Sequence, residues 1–170
     1  LGRMVIMSIR DTSFADRTTR LDAGLDGARR DPQREFHRRF TAGDGETRKT
    51  LEALVSVLRE EGLDAEVISN AELILAEVLN NVVEHAYADG RGPVEISVTI
   101  LPDGLKCRVM DQGTPLPEGM VPPLHRSPAE PDSLPEGGFG WHIIRCLTSD
   151  LSYRRDAGTN CLSLHIPWTD

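Results

Sequence analysis

The stretch AELILAEVLNNVVEHAY, residues 71–87, decides the fold, and we predict that it forms one amphipathic helix. At about 100° per residue, its apolar side chains fall on one broad face and its polar side chains on the other. The apolar face carries Leu75, Val78, Leu79, Val82, Val83 and Ala86, and the polar face carries Glu77, Asn80, Asn81, Glu84 and His85. Two starting points are open. Apolar residues 67–68 suit a start at Asp64, whereas a capping box with Glu72 suits a start at Ser69.

Glu77 and Asn81 are four residues apart on the polar face, so their side chains lie one above the other. A carboxylate can act as a base or contact a metal ion, and an amide oxygen is a hard ligand that suits Mg²⁺. A solvated surface helix would show the same pattern by itself. Two features downstream favour a site: DQG at residues 111–113, where a predicted strand ends, and GGFG at residues 137–140, where a predicted helix begins.

These two features offer complementary chemistry. Glycines without Cβ atoms let the backbone approach a phosphate, and a helix N-terminus presents unpaired N–H groups to it. The carboxylate of Asp111 is acceptor-only, so it would select an exocyclic amine, such as that of adenine, over a keto group. We expect Gly113 to leave room there for a flat ring. Each feature alone also fits an ordinary tight turn.

Length and composition limit the alternatives. The chain has 170 residues, of which 39% are hydrophobic, which fits one globular domain and hardly two. Residues 40–170 hold ten Lys and Arg against twenty-one acids, so direct nucleic-acid binding is not expected. The sequence shows no long apolar run and no leader pattern, so we expect no membrane association and a cytoplasmic location. The three cysteines form no CxxC pair and predict reduced, buried thiols.

The remaining elements predict an α+β two-layer sandwich. Residues 1–32 would be an N-terminal extension, either a flexible tail or an extra short helix, and residues 33–170 would be one domain. Within it we predict an edge strand at 34–42, a helix at 47–61, a hairpin of strands at 94–100 and 105–111, a long loop at 114–136, a helix within 137–147, and closing strands at 151–155 and 161–166. This order places the helices on one face of a mixed, mostly antiparallel sheet.

Taken in order, the motifs resemble the GHKL ATPase superfamily, whose nucleotide-binding domain has the Bergerat fold. The likeness is greatest to the anti-sigma-factor serine/threonine kinases of bacteria, the RsbW and SpoIIAB type. ELILAEVLNNVVEHAY is similar to the N-box of that family, RVMDQGTPLP to its first glycine box, GGFGWHIIRCL to its second and DAGTNCLSLHIP to its closing hairpin. The resemblance spans about residues 35–167. Trp141 departs from the pattern, because a leucine or similar residue usually follows the last glycine.

The resemblance implies a role for each motif. Glu77 would be the catalytic base that prepares the attacking hydroxyl, and Asn81 would ligate the Mg²⁺ that bridges the phosphates of ATP. Asp111 would bind the adenine amine. Residues 114–136 would form the ATP lid, with Arg126 or His125 as its cation. The residues that contact ATP or ADP would be Asn80, Asn81, His85, Asp111, Gly113, Arg126, Gly137, Gly138, Phe139, Gly140, Trp141 and Thr159.

The resemblance also implies partners. The family phosphorylates a serine or threonine on a small anti-anti-sigma protein with a STAS domain, binds a sigma factor, and usually works as a homodimer. Two alternatives remain open: a Bergerat-fold regulator that binds nucleotide and partner without phosphate transfer, and the ATP-binding domain of a histidine kinase. No paired dimerisation helices with a phospho-accepting histidine precede residue 35, which argues against the second alternative.

Overall fold

The computed structural model describes residues 34–88, 90–122 and 138–168. Its helices are α1 (Asp44–Glu60), α2 (Ala65–Asn81), a π-helical turn (Val82–Ala86) that continues α2, a 3-10 turn (Pro117–Gly119) and α3 (Gly138–Leu147). Its strands are β1 (Glu35–Thr41), β2 (Pro93–Leu101), β3 (Gly104–Asp111), β4 (Leu151–Asp156) and β5 (Thr159–Pro167). The predicted extension at residues 1–32 and residues 123–136 of the predicted lid lie outside the described residues.

The five strands form one open sheet in the order β1-β2-β3-β5-β4. Every neighbouring pair is antiparallel, so the described sheet is antiparallel throughout rather than mixed. Two of these pairs, β2 with β3 and β4 with β5, are joined by tight turns, and strands joined in this way run antiparallel. β1 lies at one edge of the sheet, as the sequence predicts.

The core lies between the sheet and the helices, which cover one of its faces. Successive side chains of a strand point to opposite faces, so alternate strand residues meet the helices. Buried residues on the sheet side include Val94, Ile96, Val98, Leu105, Cys107, Val109, Leu164 and Ile166, and those on the helix side include Leu54, Leu58, Ile74, Leu75, Val78, Leu79 and Ile144. The predicted two-layer α+β sandwich is confirmed.

The start of α1 differs from its prediction, and the start of α2 decides between the two that were open. α1 begins at Asp44 rather than at Thr47. α2 begins at Ala65, directly after Asp64, so the earlier of the two open starts is correct. Ser69 therefore lies inside the helix and does not cap it.

The end of the central helix also differs from its prediction. Regular α-helix stops at Asn81, because the Tyr87 N–H donates to the carbonyl of Val82, five residues back, at 3.0 Å. Beyond this wider turn, the Ala86 carbonyl accepts a hydrogen bond from the Thr114 N–H at 2.8 Å. Turns of this kind are rare and frequently occur at functional sites.

The cysteines fit their prediction only in part. Cys107 and Cys161 are buried, but Cys146 is exposed, and none of the three forms a disulfide. Cys146 lies two residues after the buried Ile144 on α3, so it falls on the other side of that helix. Burial raises the pKa of the Cys107 thiol to about 12. No helix in the described part of the chain is long and apolar enough to cross a membrane.

Candidate functional site

A cavity of about 330 Å³ opens beside the C-terminal half of α2 and the first turns of α3, above the adjoining ends of β3 and β5. The described residues that line it are Val78, Asn81, Val82, His85, Ala86, Val109, Asp111, Thr114, Pro115, Leu116, Pro117, Pro122, Trp141, Tyr153, Asn160 and Leu162. Most of these side chains are apolar, with a few polar groups among them. Both the size and the composition are usual for a small-molecule site.

Asp111 contributes the one carboxylate to the described lining of this cavity. Its Oδ1 accepts hydrogen bonds from the Gly113 N–H at 2.8 Å and from Asn160 Nδ2 at 2.7 Å. Burial raises the pKa of Asp111, while these two hydrogen bonds and the charge of Arg155 oppose the rise. Because both bonds end on Oδ1, Oδ2 stays available to accept an N–H group of a ligand.

Packing within the protein also requires a glycine at position 113. A Cβ at this position would lie 2.3 Å from the carbonyl oxygen of Ala86, which is closer than real Cβ atoms come to such an oxygen. The glycine therefore lets the end of β3 pack against the π-helical turn.

Asn81 and His85 line the cavity from the side of α2. Asn81 Nδ2 is buried, and no described residue gives it a hydrogen-bond partner. Buried polar groups are usually paired, so an unpaired one calls for an explanation. A bound polar ligand would supply the missing partner.

Glu77 lies one turn before Asn81 but is not among the described residues that line the cavity. The side chain is half-buried, and a Cβ at Gly140 would stand 2.6 Å from its Oε2. The glycine therefore lets the carboxylate lie against the first turn of α3. This position is next to the cavity, on the side where a helix N-terminus would face phosphate groups.

The structure does not bring together all the predicted contact residues. Trp141 lines the cavity, but Asn80 and Phe139 do not, and Phe139 is 60% exposed. Thr159 lines a different, smaller depression of about 210 Å³. Gly138 is the first residue of α3, whereas Arg126, His125 and Gly137 lie outside the described residues.

Sequence reasoning missed a polar cluster formed by Asn160, Tyr153 and Arg155. Asn160 is buried and stands opposite Asp111 in the pairing of β3 with β5. The signal for it was present, because Leu162, Leu164 and Ile166 point inward and period-2 alternation continues back to residue 160. The same alternation turns Thr159 away from the cavity.

Comparison with known proteins identifies the family. The family model described as the histidine kinase-like ATPase domain matches residues 40–166. The chain belongs to this family. Two relatives, both named serine-protein kinase RsbW, come from Oceanobacillus iheyensis and Bacillus cereus. The first is 30% identical over 111 residues, covering 62% of this chain and 69% of the relative, and the second is 28% identical over 114 residues, covering 64% and 70%.

A solved structure shows the same fold as this member of the family. It contains the RsbU and RsbW domains of a Mycobacterium tuberculosis protein, with a TM-score of 0.57 and 20% sequence identity. The match covers 81% of this chain and 33% of that one, so the chain spans about a third of that protein's length. At this identity the likeness concerns the fold alone.

The residues present fit the nucleotide and Mg²⁺ that the family implies. The cavity combines apolar walls with the available acceptor of Asp111, and Asn81 lines the same cavity, where its unpaired Nδ2 can donate to a phosphate oxygen and its Oδ1 is the atom that could ligate Mg²⁺. No cluster of three His, Cys, Asp or Glu side chains suitable for a metal occurs in the described residues.

Proposed function

We propose that this chain is an ATP-dependent protein serine/threonine kinase that also acts as an anti-sigma factor. Its substrate would be a small anti-anti-sigma protein with a STAS domain, its second partner a sigma factor, and its working form a homodimer. One observation carries the proposal. A single cavity joins a buried, amine-selecting carboxylate, Asp111, to Asn81, with Glu77 one turn away on the same helix. The relatives' name, serine-protein kinase RsbW, supports a protein serine as the phosphate acceptor.

The chemistry divides between the two ends of the cavity. At one end, Oδ2 of Asp111 accepts the exocyclic amine of adenine, and apolar residues such as Val109 and Leu162 exclude water from the ring. At the other end, the Asn81 amide would hold Mg²⁺ together with the phosphates. When bound, Mg²⁺ neutralises phosphate charge. Glu77, beside the first turn of α3, orients the hydroxyl of the protein substrate and takes up its proton.

One observation favours a second candidate, a regulator that binds nucleotide and partner without transferring phosphate. Glu77 lies where a Cβ at Gly140 would meet it and does not line the described cavity, whereas Asp111 does. A base must come within hydrogen-bond reach of the proton that it removes. In this alternative the protein would bind ATP at the same site, and Glu77 would serve the packing of α2 on α3.

Phosphate transfer from γ-labelled ATP to candidate STAS-domain proteins tests both functions. Single-turnover transfer and equilibrium ATP affinity are measured for the wild type, for Glu77→Gln and for the matched control Glu72→Gln on the exposed side of α2. The kinase proposal expects Glu77→Gln to keep ATP affinity within a few fold and to lose about 10²–10⁴-fold in transfer rate. Glu72→Gln should match the wild type.

The other outcomes are equally decisive. ATP binding with no transfer to any STAS-domain protein encoded beside the kinase gene would contradict the kinase and support the regulator. Equal transfer by Glu77→Gln and the wild type would remove Glu77 from the mechanism. Absence of ATP binding by the wild type would overturn both functions.

A further inference from the structure

The amide of Asn160 has an orientation that its neighbours determine. Its Oδ1 accepts hydrogen bonds from the Tyr153 hydroxyl at 2.7 Å and from Arg155 Nη1 at 2.5 Å. A hydroxyl can donate or accept, but a guanidinium only donates, so the atom that faces Arg155 must be the oxygen. The nitrogen is thereby turned toward the acceptor-only carboxylate of Asp111, at 2.7 Å.

This orientation controls which oxygen of Asp111 faces the ligand. Asn160 Nδ2 and the Gly113 N–H both donate to Oδ1, and Oδ1 is thus withdrawn from ligand binding. The hydrogen bond from Asn160 and the nearby charge of Arg155 also favour the ionised carboxylate, against the effect of burial. An ionised carboxylate can accept from an amine but cannot donate to a keto oxygen.

The same cluster holds the segment that follows β3. Arg155 Nη1 donates to the Gly113 carbonyl at 2.9 Å, and Asn160 Nδ2 lies 3.3 Å from the Thr114 carbonyl. The Tyr153 hydroxyl accepts from the Leu116 N–H at 3.2 Å. Thr114 and Leu116 both line the cavity, so the cluster also fixes the position of this wall.

We propose that Asn160, oriented by Arg155 and Tyr153, is the positioning residue that sets base selectivity at this site. It holds Asp111 as a charged, single-oxygen acceptor for an amino group and ties that acceptor to the wall at residues 113–116. This inference deepens the proposed ATP site and rests on it. The resemblance to the kinase family pointed to Thr159, so the assignment comes from the geometry of β4 and β5.

Asn160→Asp is the most informative variant. It places a second carboxylate against Asp111, and two carboxylates that share a site keep one proton at a higher pH than either would alone. The protonated pair can then donate to a keto group. ADP affinity should fall about tenfold or more, and the preference for ADP over GDP should shrink, more at about pH 6 than at about pH 8.

Tyr153→Phe separates orientation from wall position. Arg155 still fixes the amide in this variant, so the ratio of ADP to GDP affinity should stay close to that of the wild type. The Leu116 N–H loses its acceptor, so its hydrogen exchange should accelerate, and ADP affinity should fall about fivefold. Ser163→Ala, on the opposite face of β5, is the matched control and should change none of these quantities.

Calorimetric titrations of the full chain with Mg·ADP and Mg·GDP at both pH values measure the two affinities and their ratio. Circular dichroism checks that each variant is folded. A folded Asn160→Asp variant with the wild-type ratio at both pH values would overturn the inference. If that variant does not fold, a wild-type ratio of ADP to GDP affinity in Arg155→Met, which removes the donor that fixes the Asn160 amide, would overturn it instead. A wild type that binds neither nucleotide would contradict the proposed function, whereas the two preceding outcomes leave that function intact.

Discussion

The two ends of the cavity differ in how far the protein satisfies its own polar groups. At the base end, the side chains of Asp111, Asn160 and Tyr153 form a connected set of hydrogen bonds. At the phosphate end, Asn81 Nδ2 is buried with no partner among the described residues. A buried donor without a partner costs about 1–3 kcal/mol, whereas a satisfied one does not. If nucleotide binds as proposed, the base end is built before the ligand arrives, and the phosphate end is completed by it.

Asp111→Asn should have the largest effect on nucleotide selection. The new amide oxygen would still accept from Asn160 and from the Gly113 N–H, so its NH₂ group would face the cavity in place of Oδ2. ADP affinity should fall about tenfold to a hundredfold. Inosine diphosphate, which carries a keto group instead of the amine, should bind the variant better than ADP does. Calorimetry with both nucleotides checks this, and equal ADP affinity in variant and wild type would refute the role of Asp111.

The same variant has a stability signature that depends on pH. Because burial raises the pKa of Asp111, its contribution to stability is complete below the ordinary value of 3.8 and is lost as pH rises through the raised pKa. At neutral pH Asp111→Asn should therefore resist urea at least as well as the wild type. This advantage should disappear as pH falls toward 3.8. A loss of stability at neutral pH would mean that the carboxylate stabilises the base end.

Gly113→Ala should destabilise the base end by steric overlap. The added Cβ would meet the Ala86 carbonyl oxygen at 2.3 Å, so β3 and the π-helical turn would have to separate. Forced shifts of this kind cost about 1–3 kcal/mol. Urea unfolding is the measurement, with Gly45→Ala as control, since a Cβ there meets nothing within 4 Å. An unfolding free energy of Gly113→Ala equal to that of the wild type would show that this contact yields without cost.

Asn81→Ala, at the phosphate end, should keep or gain stability and lose nucleotide affinity. Removing a buried, unpaired amide and adding a good helix former should leave stability unchanged or raise it by about 1 kcal/mol. Affinity for Mg·ADP should fall about tenfold, because the amide no longer contributes to metal and phosphate binding. Asn70→Ala, on α2 but outside the described cavity lining, is the control. A variant that loses stability and keeps affinity would show that both ends are prebuilt.

The periodicity of the sequence predicted most of the fold. Alternation in β2 and β5 and the apolar stripe of α2 are local properties, and each depends on residues close together in the chain. The π-helical turn was not predictable in this way, because it depends on the hydrogen bond from the Thr114 N–H to Ala86 and on the Tyr87 hydroxyl, which contacts Pro93 and Gln112. Those partners become neighbours of Ala86 and Tyr87 only in the folded chain.

The structure places only some of the predicted site residues at the cavity, and the differences have physical causes. Motif resemblance indicated Asp111 and Asn81, and the cavity contains both. It also indicated Thr159, whereas strand alternation turns Asn160 inward and Thr159 away. Gly113 was predicted to leave room for a flat ring, and its missing Cβ also allows a close contact within the protein. The motifs indicated which residue types occur at the site, and the packing of the folded chain shows which of them face the cavity.

Tyr87→Phe should have the smallest effect on stability and affinity. It distinguishes a residue that stabilises the base end from one that selects the base. The Tyr87 hydroxyl donates to the Pro93 carbonyl at 2.8 Å and accepts from the Gln112 N–H at 2.9 Å, yet it does not line the described cavity. Because both bonds are exposed, water can replace them, and the loss should be about 1 kcal/mol. The ratio of ADP to GDP affinity should not change.

Burial and the Asp111 charge raise the pKa of Tyr87, while the bond from Gln112 opposes the rise. Its stabilising contribution is complete below the ordinary value of 10.0 and is lost as pH rises through the raised pKa. The difference in urea stability between wild type and Tyr87→Phe should therefore narrow above pH 10.0. A difference that stays constant there would contradict the raised pKa of Tyr87. A changed ADP to GDP ratio would show that Tyr87 acts on the ligand site rather than on the frame that supports it.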